Sequence, residues 1–203
     1  MKKQTLLLAL LLALALAGRG QWEKIEIPNF ICYGVSCPSE TTIFVSGNHG
    51  QVTKSTDGGL SWNVSHTGLD SSYILRRIHF LNENTGVAFT GMNENRWYDT
   101  SPLHSPHILI GTQNGGDTWT VLDTTSFFLK IKMVDQDTLY AMILDTNTQR
   151  HIAKSTDGGY HWDIILYGFS TQYNIRDFDI GEKNVFILLG GEKMDFYVLI
   201  SED

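Results

Sequence analysis

From residue 31 onward the chain is a run of short apolar–polar alternations, broken by clusters of Gly, Asn, Asp, Ser and Thr. Alternation with period two, rich in β-branched and aromatic residues, predicts half-buried β-strands. The runs fall into four groups. The first predicts strands over 31–36, 41–46, 50–55 and 61–65, and the second over 74–81, 86–91, 107–112 and 118–122. The third predicts 128–134, 138–144, 151–155 and 161–166, and the fourth 174–180, 184–190 and 196–201. Segments 82–86, 135–137 and 181–184 between them are turn-rich. No stretch after the first 17 residues keeps a helical period, so the chain is expected to be all-β.

The groups share a landmark. Ser55, Thr56, Asp57, Gly58, Gly59, Leu60, Ser61 and Trp62 form an octet between the third and fourth strands of group one. It returns at 112–119 with Thr112, Asn114, Gly116 and Trp119, and at 155–162 with Ser155, Asp157, Gly159 and Trp162. Ser201, Glu202 and Asp203 begin a fourth copy, and the starts lie 57, 43 and 46 residues apart. A period in this range indicates a propeller or a solenoid. The octet suits a tight turn. Ser and Asp side chains bond backbone N–H groups a few residues on. Paired glycines supply positive φ, and the Trp pins the turn to the sheet with its N–H in need of a partner.

Each group therefore reads as one blade: inner strand, second strand, third strand, turn, outer strand. The expected fold is a β-propeller of four-stranded antiparallel blades, with about four blades present over 22–203. Trp22 to Ile27 resembles an outer strand without its turn, and Trp22 precedes Trp62 by 40 residues, one blade. A last blade that ends at 201–203 would present an unpaired edge, a liability for a sheet. The chain is accordingly expected to be the N-terminal part of a larger propeller, since six to eight blades are commoner than four.

The first 17 residues read as a signal peptide. Lys2 and Lys3 precede an apolar run of Leu and Ala, and Ala15 and Ala17 flank a small-residue cleavage site. An uncleaved anchor is the alternative, although the run is short for a bilayer. The expectation is a secreted, periplasmic or cell-surface protein with no membrane contact after cleavage. The 203 residues carry a formal charge of −7, and loss of Lys2 and Lys3 makes the chain more acidic still. With no basic tract, nucleic acid is not an expected partner. Cys32 and Cys37 are either disulfide-bonded across a turn at Gly34 or two separate thiols.

Candidate chemistry lies in two places. Aligning the inner strands puts Arg77, Lys130 and Arg176 at equivalent points, with Gly34 in the first group. Either three cations face one rim of an acidic protein and suit an anionic ligand, or these are solvated strand ends that recur by chance. The insertion 92–106 accounts for the 57-residue spacing and carries Arg96, Trp97 and Tyr98, a set that suits a sugar or a peptide. Asp99, His104 and His107 are metal-ligand types without a metal-site spacing, so neither metal nor cofactor is expected. No paired carboxylates of a glycosidase and no phosphate loop stand out.

The octet resembles the Asp-box, or BNR repeat, of β-propellers such as sialidases, other glycoside hydrolases, sortilin-type receptors and photosystem II stability/assembly factors. Copies one and three match it fully; copy two has Asn114 for the Asp. The resemblance implies a structural role for the octet, on the blade periphery. Leu75 to Gly91, a hydrophobic strand, an acidic–Asn turn and a short strand ending in Gly, is similar to the assembly-factor type. That likeness implies a non-catalytic scaffold that binds protein. The alternative is a sialidase-like exo-glycosidase propeller with its catalytic residues largely in missing blades. Against it, Glu26, Ile27 and Pro28 stand where sialidases carry an arginine motif, so the first arginine is missing.

Overall fold

A computed structural model describes residues 24–27, 31–90, 107–168, 173–181, 184–191 and 196–201. Fifteen strands and no helix are found among them. Blade one is β1 (Cys32–Ser36), β2 (Ile43–Gly47), β3 (Val52–Ser55) and β4 (Asn63–Ser65). Blade two is β5 (Arg77–Phe80), β6 (Gly86–Phe89), β7 (Leu109–Thr112) and β8 (Thr120–Asp123). Blade three is β9 (Phe127–Met133), β10 (Leu139–Leu144), β11 (Arg150–Ser155) and β12 (Asp163–Leu166). Blade four is β13 (Tyr173–Ile180), β14 (Val185–Gly191) and β15 (Phe196–Ile200). Each blade is an antiparallel sheet in chain order, and β15 forms the edge of the three-stranded one. The fifteen strands predicted over 31–201 are all present, most of them trimmed by one to three residues at an end.

Register makes the blades comparable residue by residue. Ile43, Gly86 and Leu139 each lie opposite the first residue of an octet: Ser55, Thr112 and Ser155. The partners of Gly86, Leu139 and Val185 on the inner strands are Phe80, Met133 and Ile180. Large faces small only in blade two: a Cβ on Gly86 would stand 2.5 Å from the Phe80 ring. That ring stacks on Phe44 of blade one, centroids 3.5 Å apart.

Burial is organised between blades, as sheets packing face to face require. Phe44 and Val52 of blade one meet Leu75, Ile78, Phe80, Ala88, Ile108 and Ile110 of blade two. Val87, Phe89 and Leu109 meet Phe128, Ile131, Leu139 and Ala141 of blade three. Tyr140, Met142 and Ile152 meet Ile175, Phe178, Val185, Ile187 and Leu189 of blade four. The outward faces of the two end blades stay open. Val35 is 65% exposed where its equivalents Ile78, Ile131 and Phe178 are buried, and Phe186 of blade four is 38% exposed.

The three octets form one turn, built three times. Both glycines of each pair have left-handed φ, from 68° to 101°. Ser55 Oγ donates to Asp57 Oδ1 (2.8 Å) and accepts from Gly59 N (2.8 Å), and Asp57 Oδ1 accepts from Ser61 N (2.9 Å). Thr112 and Asn114 repeat these bonds at 3.0 Å each with Gly116 N and Thr118 N. Ser155 and Asp157 repeat them at 2.8, 2.9 and 3.0 Å with Gly159 N and His161 N. The first glycine ties the turn to its own blade, through Gly58 N to Thr41 O, Gly115 N to Asn84 O and Gly158 N to Asp137 O.

The second glycine faces the preceding blade. A Cβ on Gly116 would meet Ser65 Oγ at 3.3 Å, and one on Gly159 would meet Leu122 Cδ1 at 3.3 Å; both neighbours belong to the previous outer strand. A Cβ on Gly59 would meet Ile25 Cγ2 at 2.9 Å. Ile25, Ser65 and Leu122 each lie three residues after a Trp. Residues 24–27 form no strand, contrary to the expectation, yet Ile25 packs where an outer-strand residue packs. Trp22 lies outside the described residues. The cysteines, one at the start of β1 and one just past its end, are not joined by a disulfide in this structure.

Candidate functional site

Inner strands β1, β5 and β9 lie side by side, and β13 joins the row through side-chain contacts from β9. One register row across them is Gly34, Arg77, Lys130 and Asp177, opposite Ser46, Phe89, Met142 and Leu188. The next is Ser36, His79, Lys132 and Asp179, opposite Phe44, Val87, Tyr140 and Phe186. Arg77 and Lys130 are therefore equivalent, as expected. Arg176 is not. A register shift between Ile175 and Asp177 leaves Arg176 as the extra residue of a β-bulge, and Asp177 takes the expected place. The bulge places Arg176 level with Tyr33 and Leu129, the extra residues of β1 and β9.

Lys130 is committed to the next blade. Its ammonium donates to Asp177 Oδ1 (2.6 Å) and to the Phe178 carbonyl (2.7 Å), and lies 5.3 Å from the centre of the Phe178 ring. Lys132 pairs with Asp179 at 3.2 Å. These two bridges turn the cationic row of blade three into a seam with blade four. His79 sits beside them. Burial, and then the Lys132 charge, push its imidazole below its ordinary pKa.

A second group of cations stands at the other end of the inner strands, where hairpins β6–β7 and β10–β11 turn. Arg150 opens β11 opposite Leu144. Its guanidinium is half-buried and donates to the Ile175 carbonyl (3.0 Å), one residue before Arg176. Burial and then the nearby Arg176 charge lower the Arg150 pKa. Among the described residues no carboxylate pairs with either arginine. Arg76 stacks over the Tyr33 ring at 4.9 Å on the same end.

Beside Arg150, His151 is buried; its Nδ1 accepts from Gly168 N (3.0 Å), which leaves Nε2 to donate to Asp145 Oδ2 (3.2 Å). The ring of Tyr167 packs on it edge-on at 5.5 Å. Asp145 also accepts from Asn147 N and Gln149 N, which pulls its pKa down against the effect of burial. This network fixes the β10–β11 hairpin and so the approach of Arg150. Arg150 escaped the sequence reading because the blade template ranked inner strands alone. Its only sequence signal is a cation directly after a turn of Asp145, Asn147 and Thr148.

Arg96, Trp97 and Tyr98 lie outside the described residues, as do Asp99 and His104. The ends of their segment are described. Thr90 N donates to Ile108 O and Ile108 N to Thr90 Oγ1, both at 3.1 Å, so segment 91–106 leaves blade two on the Arg150 end. His107 packs edge-on against Phe127 at 4.6 Å there. Among the described residues no group of three His, Cys, Asp or Glu could hold a metal ion. No described helix is long and apolar enough to cross a membrane.

Four chain-ordered antiparallel sheets with cores between neighbours define a β-propeller, and solved structures share it. The structure of YCF48 bound to D1 peptide aligns with a TM-score of 0.57 at 16% identity, over 84% of this chain and 55% of that one. YCF48 from Cyanidioschyzon merolae aligns with a TM-score of 0.58 at 13% identity, over 90% of this chain and 60% of that one. The GH74 enzyme of Niastella koreensis aligns at 0.57 and 16% identity, over 84% of this chain and 28% of that one. The chain thus spans little more than half of the YCF48 structures and about a quarter of the glycoside hydrolase. No protein-family model and no curated protein matches the sequence.

Proposed function

We propose that this chain is an exported, non-catalytic propeller that binds an anionic segment of a partner protein. The contact would fall on the end of blades two to four that carries Arg76, Arg150, Arg176 and the base of segment 91–106. The observation that carries the reading is the Arg150–Arg176 pair: a half-buried guanidinium beside a second one, with one backbone carbonyl as its bonded partner. A paired arginine site in a partly desolvated rim favours carboxylates strongly. Arg77 and Lys130 contribute field rather than contacts, since Lys130 already holds Asp177. The structure of YCF48 bound to D1 peptide supports the view that this fold can accept a peptide. The likeness to glycoside hydrolases supports the fold alone. Asp177 and Asp179, the carboxylates of the two inner-strand rows, are each paired with a lysine, which argues against their use as a glycosidase acid and nucleophile.

Export rests on the leader at residues 1–17; N-terminal sequencing of the expressed protein checks cleavage after Ala17. The binding reading is tested by fluorescence anisotropy with a Glu-rich peptide and its Gln-substituted counterpart. Binding of the acidic peptide is expected to weaken in Arg150→Ala and Arg176→Ala and with added salt. Turnover of a fluorogenic sialoside or of a glycoside panel, lost in the same variants, would overturn it.

A further inference from the structure

Lys54, Gly111 and Lys154 are equivalent residues, each the last before an octet. Their partners on the second strand are Phe44, Val87 and Tyr140. In blades one and three the lysine ammonium lies over that ring, 5.4 Å from its centre in both. From blade one, Lys54 also reaches the turn of blade two. A Cβ on Gly115 would stand 2.8 Å from the Lys54 ammonium and 2.9 Å from the Glu83 carbonyl oxygen. The chain therefore fills its own groove between blades one and two with an alkylammonium group.

One blade later the filler is missing. Val87 and Gly111 replace ring and lysine, and the groove between blades two and three is open as a cavity of about 320 Å³. Val87, Gly111, Leu122 and Met133 give it an apolar floor; Gln136, Asp137, Asp157 and Gly158 line its end. Gly158 corresponds to Gly115, and the Gln136 carbonyl, 3.4 Å from a Cβ on Gly158, corresponds to that of Glu83. Charge has changed to match. Around Lys54 the corresponding side chains are Glu83, Asn84 and Asn114, with one carboxylate; where lysine is absent, they are Gln136, Asp137 and Asp157, with two. No lysine, arginine or histidine lines the cavity. Asp157 stays ionised, held well below the usual carboxylate range by the His161 backbone N–H, with further hydrogen bonds from the His161 ring and Ser155 Oγ.

We propose that the groove between blades two and three binds a primary alkylammonium group from outside the chain, taking the place that Lys54 fills one blade earlier. Its aliphatic stem lies on Val87, Leu122 and Met133, and its ammonium among Asp137, Asp157 and the Gln136 carbonyl. The source is a lysine side chain of another protein or a free polyamine. The site stands on the octet end of the blades, away from Arg150, and does not rest on the reading above.

The test is a titration of the labelled full chain with n-butylammonium, followed by amide NMR shifts. Saturable shifts at Asp137, Gly158 and Tyr160 are expected. Affinity falls about tenfold or more in the double variant Asp137→Asn, Asp157→Asn, which copies Asn84 and Asn114 and so retains the turn. Gly111→Lys with Leu122→Ala, which supplies an internal lysine and the room for it, abolishes the shifts. Absence of saturable shifts, equal shifts in the Asn variant, or the same shifts with n-butanol would overturn the proposal. Competition then separates the sources: a blocked lysine tripeptide that outcompetes spermidine assigns the site to a protein lysine, and the reverse order assigns it to a polyamine.

Discussion

Asp57 and Asn114 build the same turn with different charge. Both accept from the backbone four residues on, and both take the hydroxyl of the octet's first residue. The Asp57 carboxyl is pulled down to about 2, first by the Ser61 hydroxyl and then by the Ser61 backbone N–H. A carboxyl with a depressed folded pKa stabilises above its unfolded value and loses that contribution as pH falls through the folded one. Asp57→Asn should therefore fold with an intact turn, and the stability advantage of the wild type over it should fade between pH 4 and about pH 2. Urea unfolding of both proteins across that range checks this. Ser65 is a different kind of residue. Trp62 and Trp162 donate to the carbonyls of Gly59 and Gly159, but Trp119 donates to Ser65 Oγ (2.8 Å), which passes the bond on to Gly116 O. Ser65→Ala leaves that indole N–H without a partner and should cost about 1–3 kcal/mol, read as a lowered denaturation midpoint. The local turn was legible in the octet; the Ser65 bridge was not, because its partner lies 54 residues away.

At the scale of elements, strands were legible and their register was not. Period-two alternation identifies a strand, but a bulge adds one residue without breaking the alternation enough to show. That is why Arg176 was aligned with Lys130 while Asp177 holds the place and the bridge. A double-mutant cycle on Lys130→Ala and Asp177→Ala should give a coupling of about 0.2–1 kcal/mol, smaller in high salt, because the two side chains are 29% and 57% exposed. A null coupling would mean that blades three and four are joined by their apolar seam alone. Gly86 makes the opposite case, a contact with no slack. A Cβ there overlaps the Phe80 ring, which is wedged against Phe44. Gly86→Ala should cost about 1–3 kcal/mol in thermal or chemical unfolding, and should perturb Trp119, whose indole meets Phe80 edge-on at 6.1 Å.

At the scale of the molecule, the acidic and histidine groups with shifted pKa among the described residues lean one way. His79 is held below its ordinary value of 6.5 by burial and Lys132, and Asp57, Asp135, Asp145, Asp157 and Asp179 are all lowered. The unfolded chain takes up protons before the folded one in every case, so stability should fall steadily as pH drops below 6.5. Thermal midpoints from pH 7 to pH 3 test that slope; a flat profile would contradict it. Hydrogen exchange should be fastest in β15, whose Tyr197, Val198 and Ile200 are 49%, 59% and 56% exposed, and slowest in β6, β7 and β10 between two packed neighbours. The one-sided sealing of the turns carries a last consequence. Gly59, Gly116 and Gly159 are each closed by a segment that came earlier in the chain: Ile25, Ser65 and Leu122. A ribosome releases every such partner before the glycine that needs it. The partner that seals each turn is thus already made when its glycine emerges, so the order of synthesis permits assembly blade by blade.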